Sequence, residues 1–331
     1  MIRGDLSLCI KTMKYYSLII ILLLASCTSK QEAMLSSEEE ARTDSLALRI
    51  AVMPVMDCLP IYYAQRTGLM KEMNLNAHIE TYMAQMDIDT TLQKGHADVA
   101  YSDLIRAIRL MPTVNNLHAF MAGQERLTLI SQKGKRVKKE NQLKERMIAM
   151  CRLSVTDYWC DAFIDSLRMS NEDAYRPQVN DVQLRTSMLR SNLIDAGIYP
   201  DPYATWMLRL GHLKIEQTRD KDPQMTAWIL RSDSTLSEKK EKQIRLFVKV
   251  YNQAIENINH ALLSDSTKAI LKDTYQVPAE VADSLLLPEY HHATAPKQED
   301  MRRAAGWLKT RNRLPRGINT DDLITTKYTK E

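Results

Sequence analysis

Aspartate and serine residues follow four predicted strands of this sequence, and side chains of these types can bind a small polar molecule. They fall in the segments Met53–Cys58, Tyr101–Asp103, Ser154–Asp157 and Pro200–Tyr203. In an open α/β sheet, ligands bind in the crevice beyond the carboxyl ends of the parallel strands. We therefore expect the four segments to meet at one crevice, and they are our candidate ligand-binding loops.

The third segment has the clearest physical chemistry. Ser154 is placed to cap a helix, and Asp157, three residues later, can complete a capping box. The N–H groups of Val155 and Thr156 would then point toward solvent or a crevice, where a helix N-terminus favours negative or polar ligand atoms. Because every helix needs a cap, a purely structural role explains the same residues. The second segment repeats the arrangement.

The four segments carry one aspartate each and no lysine or arginine. These aspartates are Asp57, Asp103, Asp157 and Asp201. Because carboxylates only accept hydrogen bonds when ionised, they favour a ligand with amine, amidine or hydroxyl donors over a bare sulfonate or nitrate. Helix capping would occupy some of these carboxylates and weaken that preference.

Residues that support catalysis do not form a recognised set. The sequence contains no P-loop, no GxGxxG motif and no nucleophile elbow, and its seven histidines lack metal-ligand spacing. We therefore expect no catalytic residues, no metal and no cofactor. The three cysteines that follow Cys27 are too few for a disulfide framework. Cys151 and Cys160 can still pair if the fold brings them together.

The segments that must position these loops alternate between strand-like and helix-like patterns, which is typical of α/β proteins. The runs LRIAVMP, RLTLISQ and YRPQVND predict strands, whereas SDLIRAIRLM and SVTDYWCDAFIDSLRM predict helices. A helix, a strand, a corner with aspartate and a second helix follow one another in both halves, which favours two related α/β lobes. The last third is predicted to be helical. One helix there has a predicted buried face formed by Ile244, Phe247, Val248, Tyr251, Ile255, Ile258 and Leu262.

The N-terminus has the pattern of an export signal. A lysine precedes an apolar run over residues 18–24, and the sequence LASC follows and ends at Cys27. A charged start, a short apolar core and small residues are typical of a secretory signal, and LASC resembles a bacterial lipobox. We predict a signal peptide over residues 1–26, lipid attachment at Cys27 and a flexible polar tether over residues 27–47. An uncleaved anchor is the alternative.

Segments along the whole chain resemble the NMT1/THI5-like group of periplasmic solute-binding proteins. Two segments resemble the first lobe of that group: LRIAVMPVMDCLPIYYAQRTGLMKEMNLNAHIETYM and TTLQKGHADVAYSD. Two others resemble its second lobe: KERMIAMCRLSVTDYW and DAGIYPDPYATW. Three more resemble its helical C-terminal part: YNQAIENIN, YQVPAEVADSLLLPEY and DMRRAAGWLK. The resemblance implies an α/β type II periplasmic binding fold, in which two lobes joined by a hinge close over a ligand cleft. Residues 48–126 and 225–331 would form a discontinuous first lobe, and residues 127–224 the second.

The same resemblance implies a function. It implies a lipid-anchored substrate-binding protein that captures a small organic solute, without catalysis, for the membrane permease and ATPase of an ABC-type importer. The protein would be a monomer in the cell envelope, facing the periplasm or the outside of a single-membrane cell. No nucleic acid partner is expected, and the small formal charge of +4 agrees with this. The alternatives are a lipoprotein that senses a ligand or serves in assembly, and an enzyme of thiamine-pyrimidine or menaquinone biosynthesis on the same fold.

The resemblance also implies the ligand contacts, at the loops that follow the strands. They are Met56, Asp57, Ser102, Asp103, Ser154, Val155, Thr156, Asp157, Asp201 and Tyr203. The group commonly has glutamate at the position of Asp201, which is one methylene longer than the aspartate of this chain.

Overall fold

The computed structural model describes residues 47–135, 137, 140–166, 168–170, 173–232, 237–261 and 263–330. Residues 48–331 form one compact unit. The predicted signal peptide, the lipidation site Cys27 and all but the last residue of the predicted tether lie outside the described residues. Among the helices that are described, none has the length and apolarity needed to cross a membrane.

Nine strands and eleven α-helices occur in the described part of the chain. The strands are β1 (Leu48–Val52), β2 (Ala77–Thr81), β3 (Val99–Asp103), β4 (Leu117–Ala122), β5 (Leu127–Ser131), β6 (Ile148–Ala149), β7 (Ala196–Pro200), β8 (Leu213–Gln217) and β9 (Thr226–Arg231). The helices are α1 (Leu59–Thr67), α2 (Leu69–Glu72), α3 (Gln85–Lys94), α4 (Leu104–Leu110), α5 (Val155–Ser166), α6 (Val182–Arg190), α7 (Tyr203–Arg209), α8 (Glu238–Ala261), α9 (Asp265–Asp273), α10 (Ala279–Ala282) and α11 (Gln298–Thr310).

The first sheet has the strand order β2-β1-β3-β9-β4. Strand β1 pairs in parallel with β2 and β3, and Ile50 lies opposite Val99. Strand β9 arrives from far along the chain and pairs antiparallel with both β3 and β4. Every residue of β3 is buried, and helices α3 and α4 pack against this central strand. The sheet is therefore mixed, with its parallel part at the β2-β1-β3 end.

The second sheet has the strand order β6-β7-β5-β8. Strand β7 is parallel to β6 and antiparallel to β5, which also pairs antiparallel with β8. The predicted strand YRPQVND makes only isolated bridges, three in the described part of the chain: Tyr175 to Met147, Gln178 to Met150 and Asp181 to Ala84. A continuous ladder would need a backbone donor at Pro177, and proline has none.

The chain passes between the two sheets twice. The first crossing runs from the end of β4 at Ala122 to the start of β5 at Leu127, and the second from Gln217 to Thr226. The predicted lobe boundaries fall within these two crossings or beside them. The division into two lobes that move separately stays a prediction.

Helix α8 has the buried face that the sequence indicates. Phe247, Tyr251 and Ile255 are each at most 1% exposed. The rings of Phe247 and Tyr251 pack around Trp228 of β9, with centroid distances of 5.2 and 5.8 Å. Burial of this aromatic group fixes the helix on the first sheet. Leu262, the last residue of the predicted face, lies outside the described residues.

Candidate functional site

A cavity of about 60 Å³ lies where strand ends of the two sheets meet. Ser102 and Asp103 reach it from the end of β3 in the first sheet. Ser154, Val155 and Thr156 reach it from the start of α5, which follows β6 of the second sheet. The structure therefore brings together five of the ten predicted contact residues, and we call this space the cleft cavity.

Asp103 caps helix α4 and also faces the second sheet. Its Oδ1 accepts a hydrogen bond of 2.9 Å from the backbone N–H of Arg106. Strand β3 includes both Ser102 and Asp103, so the helix begins at Leu104 rather than at Ser102. Burial raises the pKa of Asp103 to about 6, although the charge of Arg106 and the backbone N–H groups of Arg106 and Val155 act to lower it. The carboxylate of Asp103 thus lies between the end of β3 and the start of α5, which follows β6.

One of the two N–H groups at the start of α5 is used within the protein. The N–H of Thr156 donates to Oγ of Ser154 over 3.1 Å. The N–H of Val155 lies near the carboxylate of Asp103 and acts to lower its pKa. The N–H of Thr156 is therefore occupied, and a ligand contact of the Val155 N–H stays a prediction. In a capping box, the side chain of Asp157 would accept a hydrogen bond from the N–H of Ser154. It accepts instead from the N–H of the preceding residue, Leu153, over 2.8 Å.

Arg185 is the residue of the cleft cavity that strand-end reasoning did not find. It lies on α6, lines the cavity and is only 3% exposed. Among the described residues, its Nε and Nη1 have no hydrogen-bond partner. Its guanidinium lies 5.6 Å from the ring centre of Tyr199, and burial lowers its pKa. A signal for it exists in the sequence, because Val182, Arg185 and Leu189 recur at the spacing of the buried face of a helix.

Asp57 lies at a second cavity, of about 420 Å³, that borders both crossings. We call it the hinge crevice. The carboxylate of Asp57 accepts hydrogen bonds from Tyr101 Oη at 2.8 Å, from the N–H of Gln124 at 2.9 Å and from Thr226 Oγ1 at 3.1 Å. Burial raises the pKa of Asp57, and these donors oppose that effect. Asp57 therefore ties β3 and β9 to the first crossing.

The corner after β7 also borders the hinge crevice. Asp201 lines it, and its Oδ1 accepts from the N–H and the hydroxyl of Thr205 at 2.9 and 2.7 Å. Asp201 thus holds the first turn of α7. Tyr203 is fully buried, and its hydroxyl donates to the carbonyl of Tyr275 over 3.1 Å. Met56 lines the crevice and accepts a hydrogen bond at its carbonyl from Tyr290.

Metal binding finds no support in the described residues, where no group of three or more His, Cys, Asp or Glu side chains is placed to hold an ion. Cys58, Cys151 and Cys160 are buried and free, so Cys151 and Cys160 do not form a disulfide here. Burial raises the pKa of the Cys151 thiol. Its sulfur contacts Arg106 Nη1 at 3.3 Å and the amide oxygen of Asn180 at 3.2 Å.

Two α/β sheets that meet at their strand ends and share two crossings define the class: the chain has the fold of periplasmic binding proteins. One similar solved structure is the ligand-binding component of an ABC-type import system from Staphylococcus aureus, with zinc bound. It has a TM-score of 0.71 and 15% identity, and the match covers 86% of this chain and 98% of that chain.

Two further solved structures with this fold have named ligands. The alkanesulfonate-binding protein of Xanthomonas axonopodis pv. citri, bound to MOPS, has a TM-score of 0.70 and 14% identity, with 84% of this chain and 98% of that chain covered. The periplasmic nitrate-binding protein of Synechocystis PCC 6803 has a TM-score of 0.66 and 11% identity, with 86% of this chain and 87% of that chain covered. At such identities the likeness concerns the fold.

Sequence comparison gives the family. Residues 56–260 match the family described as NMT1/THI5 like, and this is more than half of the 331 residues. The chain belongs to the NMT1/THI5-like family. No curated protein matches it significantly.

Proposed function

We propose that this chain is a lipid-anchored solute-binding protein that delivers a small organic anion to an ABC-type importer. Its family and its fold support this proposal. Residues 48–126 and 225–331 would form one lobe and residues 127–224 the other, and the two would close over the ligand. The protein would act as a monomer in the cell envelope, held to a membrane through Cys27 and facing the periplasm or the cell exterior.

Arg185 is the single observation that favours an anion. A buried cation without a hydrogen-bonding partner is costly, because several kcal/mol of hydration are lost for each buried ion. The planar N–H groups of a guanidinium match the oxygens of a carboxylate or sulfonate. With Nε and Nη1 of Arg185 unpartnered at the cleft cavity, an anionic ligand group is the natural acceptor. The preference for an anion at Arg185 replaces the preference for amine, amidine or hydroxyl donors that the four aspartates alone suggest.

The four predicted aspartates are largely occupied by the protein itself. Asp103 and Asp201 hold helix starts, and Asp57 binds three donors. Asp157 accepts from the N–H of Leu153 and pairs with Arg176. The chemical preference of the cleft cavity therefore depends on Arg185 rather than on the number of carboxylates.

Binding without turnover is part of the proposal. A hydroxyl acts as a nucleophile when an adjacent base accepts its proton. Ser154 Oγ instead donates to the carbonyl of Cys151 over 2.7 Å. Two of the solved structures that resemble this chain are named as binding proteins, which agrees with a carrier.

The test is a thermal-shift screen of wild-type protein against acetate, methanesulfonate, taurine and nitrate, with methylamine as the probe of opposite charge. A ligand at 100 times its Kd stabilises the folded state by about 2.7 kcal/mol. We expect at least one anion to raise the Tm with concentration. Arg185→Met should abolish that shift while raising the free energy of unfolding of the unliganded protein by about 1–4 kcal/mol, because an unpartnered buried charge is removed.

Arg185→Lys is the matched control, since it keeps the charge and loses the planar donors. We expect it to bind the same anion about tenfold more weakly, a change of about 1.4 kcal/mol. An anion that stabilises Arg185→Met as much as wild type would place the ligand elsewhere. Chemical conversion of the bound anion by the wild-type protein would contradict the carrier function.

A further inference from the structure

The hinge crevice is separate from the cleft cavity. Among the described residues that line the two spaces, none is shared. Residues 124–126 of the first crossing form one wall, and Gln217, Asp220 and Gln224 of the second crossing form another. The segment 286–291 covers it with Leu286, Leu287 and Pro288. At about 420 Å³, the crevice has the volume of a small-molecule site.

Glu125 is the unusual residue of the crevice. It is only 7% exposed, although it sits on a crossing segment rather than in a strand or helix. One of its carboxyl oxygens, Oε2, is buried and has no hydrogen-bond partner among the described residues. The backbone N–H groups of Asp57 and Asp201 lie near the carboxyl group of Glu125 and act to lower its pKa. A buried polar atom without a partner costs about 1–3 kcal/mol, so it marks a position where a ligand donor is missing.

The charges around Glu125 are mostly negative. Asp57, Asp201 and Glu289 also line the crevice. Arg126 lines it too, but its guanidinium pairs with Asp220 at 2.6 Å and is about half exposed. Asp57 and Asp201 already accept hydrogen bonds from within the protein. Glu125 therefore has the free acceptor capacity in a negatively charged space.

We propose that the hinge crevice binds a small organic ammonium ion, with Glu125 Oε2 accepting a hydrogen bond from the ammonium group. The apolar side chains of Leu286, Leu287 and Met56 cover the carbon chain of this ligand. A metal ion is the poorer fit, because the described residues do not place three ligating side chains around a point. This site is additional to the anion site at Arg185 and does not depend on it.

Binding of an ammonium ion favours the ionised form of Glu125. Burial raises the pKa of Glu125 well above its ordinary value, and the charges of Asp57 and Asp201 raise it further. An ammonium ion at Oε2 acts in the opposite direction, because an opposite charge lowers the pKa of a carboxyl group.

Isothermal titration calorimetry of the full protein tests the site, with putrescine and butylamine as probes and butyrate as the probe of opposite charge. We expect an amine to bind and butyrate not to compete with it.

Glu125→Gln keeps the shape of the side chain and removes its charge, so we expect at least a tenfold loss of amine affinity. Arg185→Met, in the cleft cavity, should bind amine as wild type does. The proposal is overturned if no amine binds or if Glu125→Gln binds amine as tightly as wild type. Loss of amine binding in Arg185→Met would place the amine in the cleft cavity instead.

Discussion

At the scale of single residues, the carboxylates of this protein have different tasks that their sequence positions do not distinguish. Asp103 and Asp201 both follow strands and both hold a helix start. Asp103 is nevertheless buried between the two sheets, whereas Asp201 borders an open crevice. The environment of each carboxylate, rather than its place after a strand, sets its protonation and its chemistry.

The raised pKa of Asp103 predicts a pH dependence of stability. Its pKa is about 6 in the folded protein and about 3.8 when unfolded, so the folded state binds the proton more tightly. The stabilisation is complete below pH 3.8 and is lost as the pH rises through 6. Asparagine also caps helices but does not titrate. We expect the unfolding free energy of wild type, relative to Asp103→Asn, to fall by about 2 kcal/mol between pH 4 and pH 7.

Urea unfolding at several pH values measures this difference. Asp98→Asn is the control, because the pKa of Asp98 is shifted in the opposite direction from that of Asp103. Burial acts to raise the pKa of Asp98, but hydrogen bonds from Arg49 and Lys240 bring it below its ordinary value. The difference between wild type and Asp98→Asn should therefore change below pH 4 and stay flat above it. A flat or rising difference for Asp103→Asn between pH 4 and pH 7 would contradict the assignment.

At the scale of elements, the first crossing depends on a close approach of backbone to side chain. Gly123 N donates to the carbonyl of Thr226 over 2.7 Å, and the next residue, Gln124, donates to Asp57. A Cβ atom at position 123 would collide with Oγ1 of Thr226 and Oδ2 of Asp57. The absence of a side chain at Gly123 therefore allows Asp57 to hold the crossing.

Gly123→Ala should lower the free energy of unfolding by about 1–3 kcal/mol, because the added methyl group displaces Asp57 or Thr226 from a packed site. Gly306→Ala on α11 is the matched control, since no atom lies within 4 Å of a Cβ there. Alanine is favoured over glycine inside a helix by about 0.5–1 kcal/mol, so this variant should be slightly stabilised. Denaturant titration measures both, and equal stability of Gly123→Ala and wild type would contradict the packing argument.

Local sequence patterns predicted the elements better than they predicted the site. Strands β1 and β5 are short apolar runs, and the cap at Asp103 has a local hydrogen bond, so both can be read from neighbouring residues. Arg185 and Glu125 could not be placed in this way. Arg185 reaches the cleft cavity only because α6 packs against β7, and Glu125 lies on a crossing segment without periodicity. The antiparallel insertion of β9 between β3 and β4 likewise depends on pairing over more than 100 residues.

At the scale of the whole molecule, the buried polar groups that could bind ligands lie in two spaces between the sheets. The cleft cavity is lined by a guanidinium with two unpartnered nitrogens, and the hinge crevice is lined by a carboxyl group with one unpartnered oxygen. Each is buried and each lies where segments from both sheets meet. A protein that keeps such groups gives up folding stability in exchange for binding. This agrees with the proposed carrier function, in which two lobes would gain their last contacts from a ligand.

The attachment of the whole molecule to a membrane is predicted by the sequence LASC, which lies outside the described residues. Cys27→Ser removes the thiol that would carry the lipid, so we expect the protein to move from the membrane fraction to the aqueous fraction of the cell envelope. The thermal unfolding of residues 48–331, which form a compact unit of their own, should not change. Cys9→Ser is the control, because it alters a cysteine within the predicted signal peptide and leaves Cys27 in place.

Fractionation, together with the mass of the N-terminal peptide, distinguishes a lipid anchor from an uncleaved signal anchor. Retention of Cys27→Ser in the membrane, with residues 1–26 still present, would indicate an uncleaved anchor in place of a lipid.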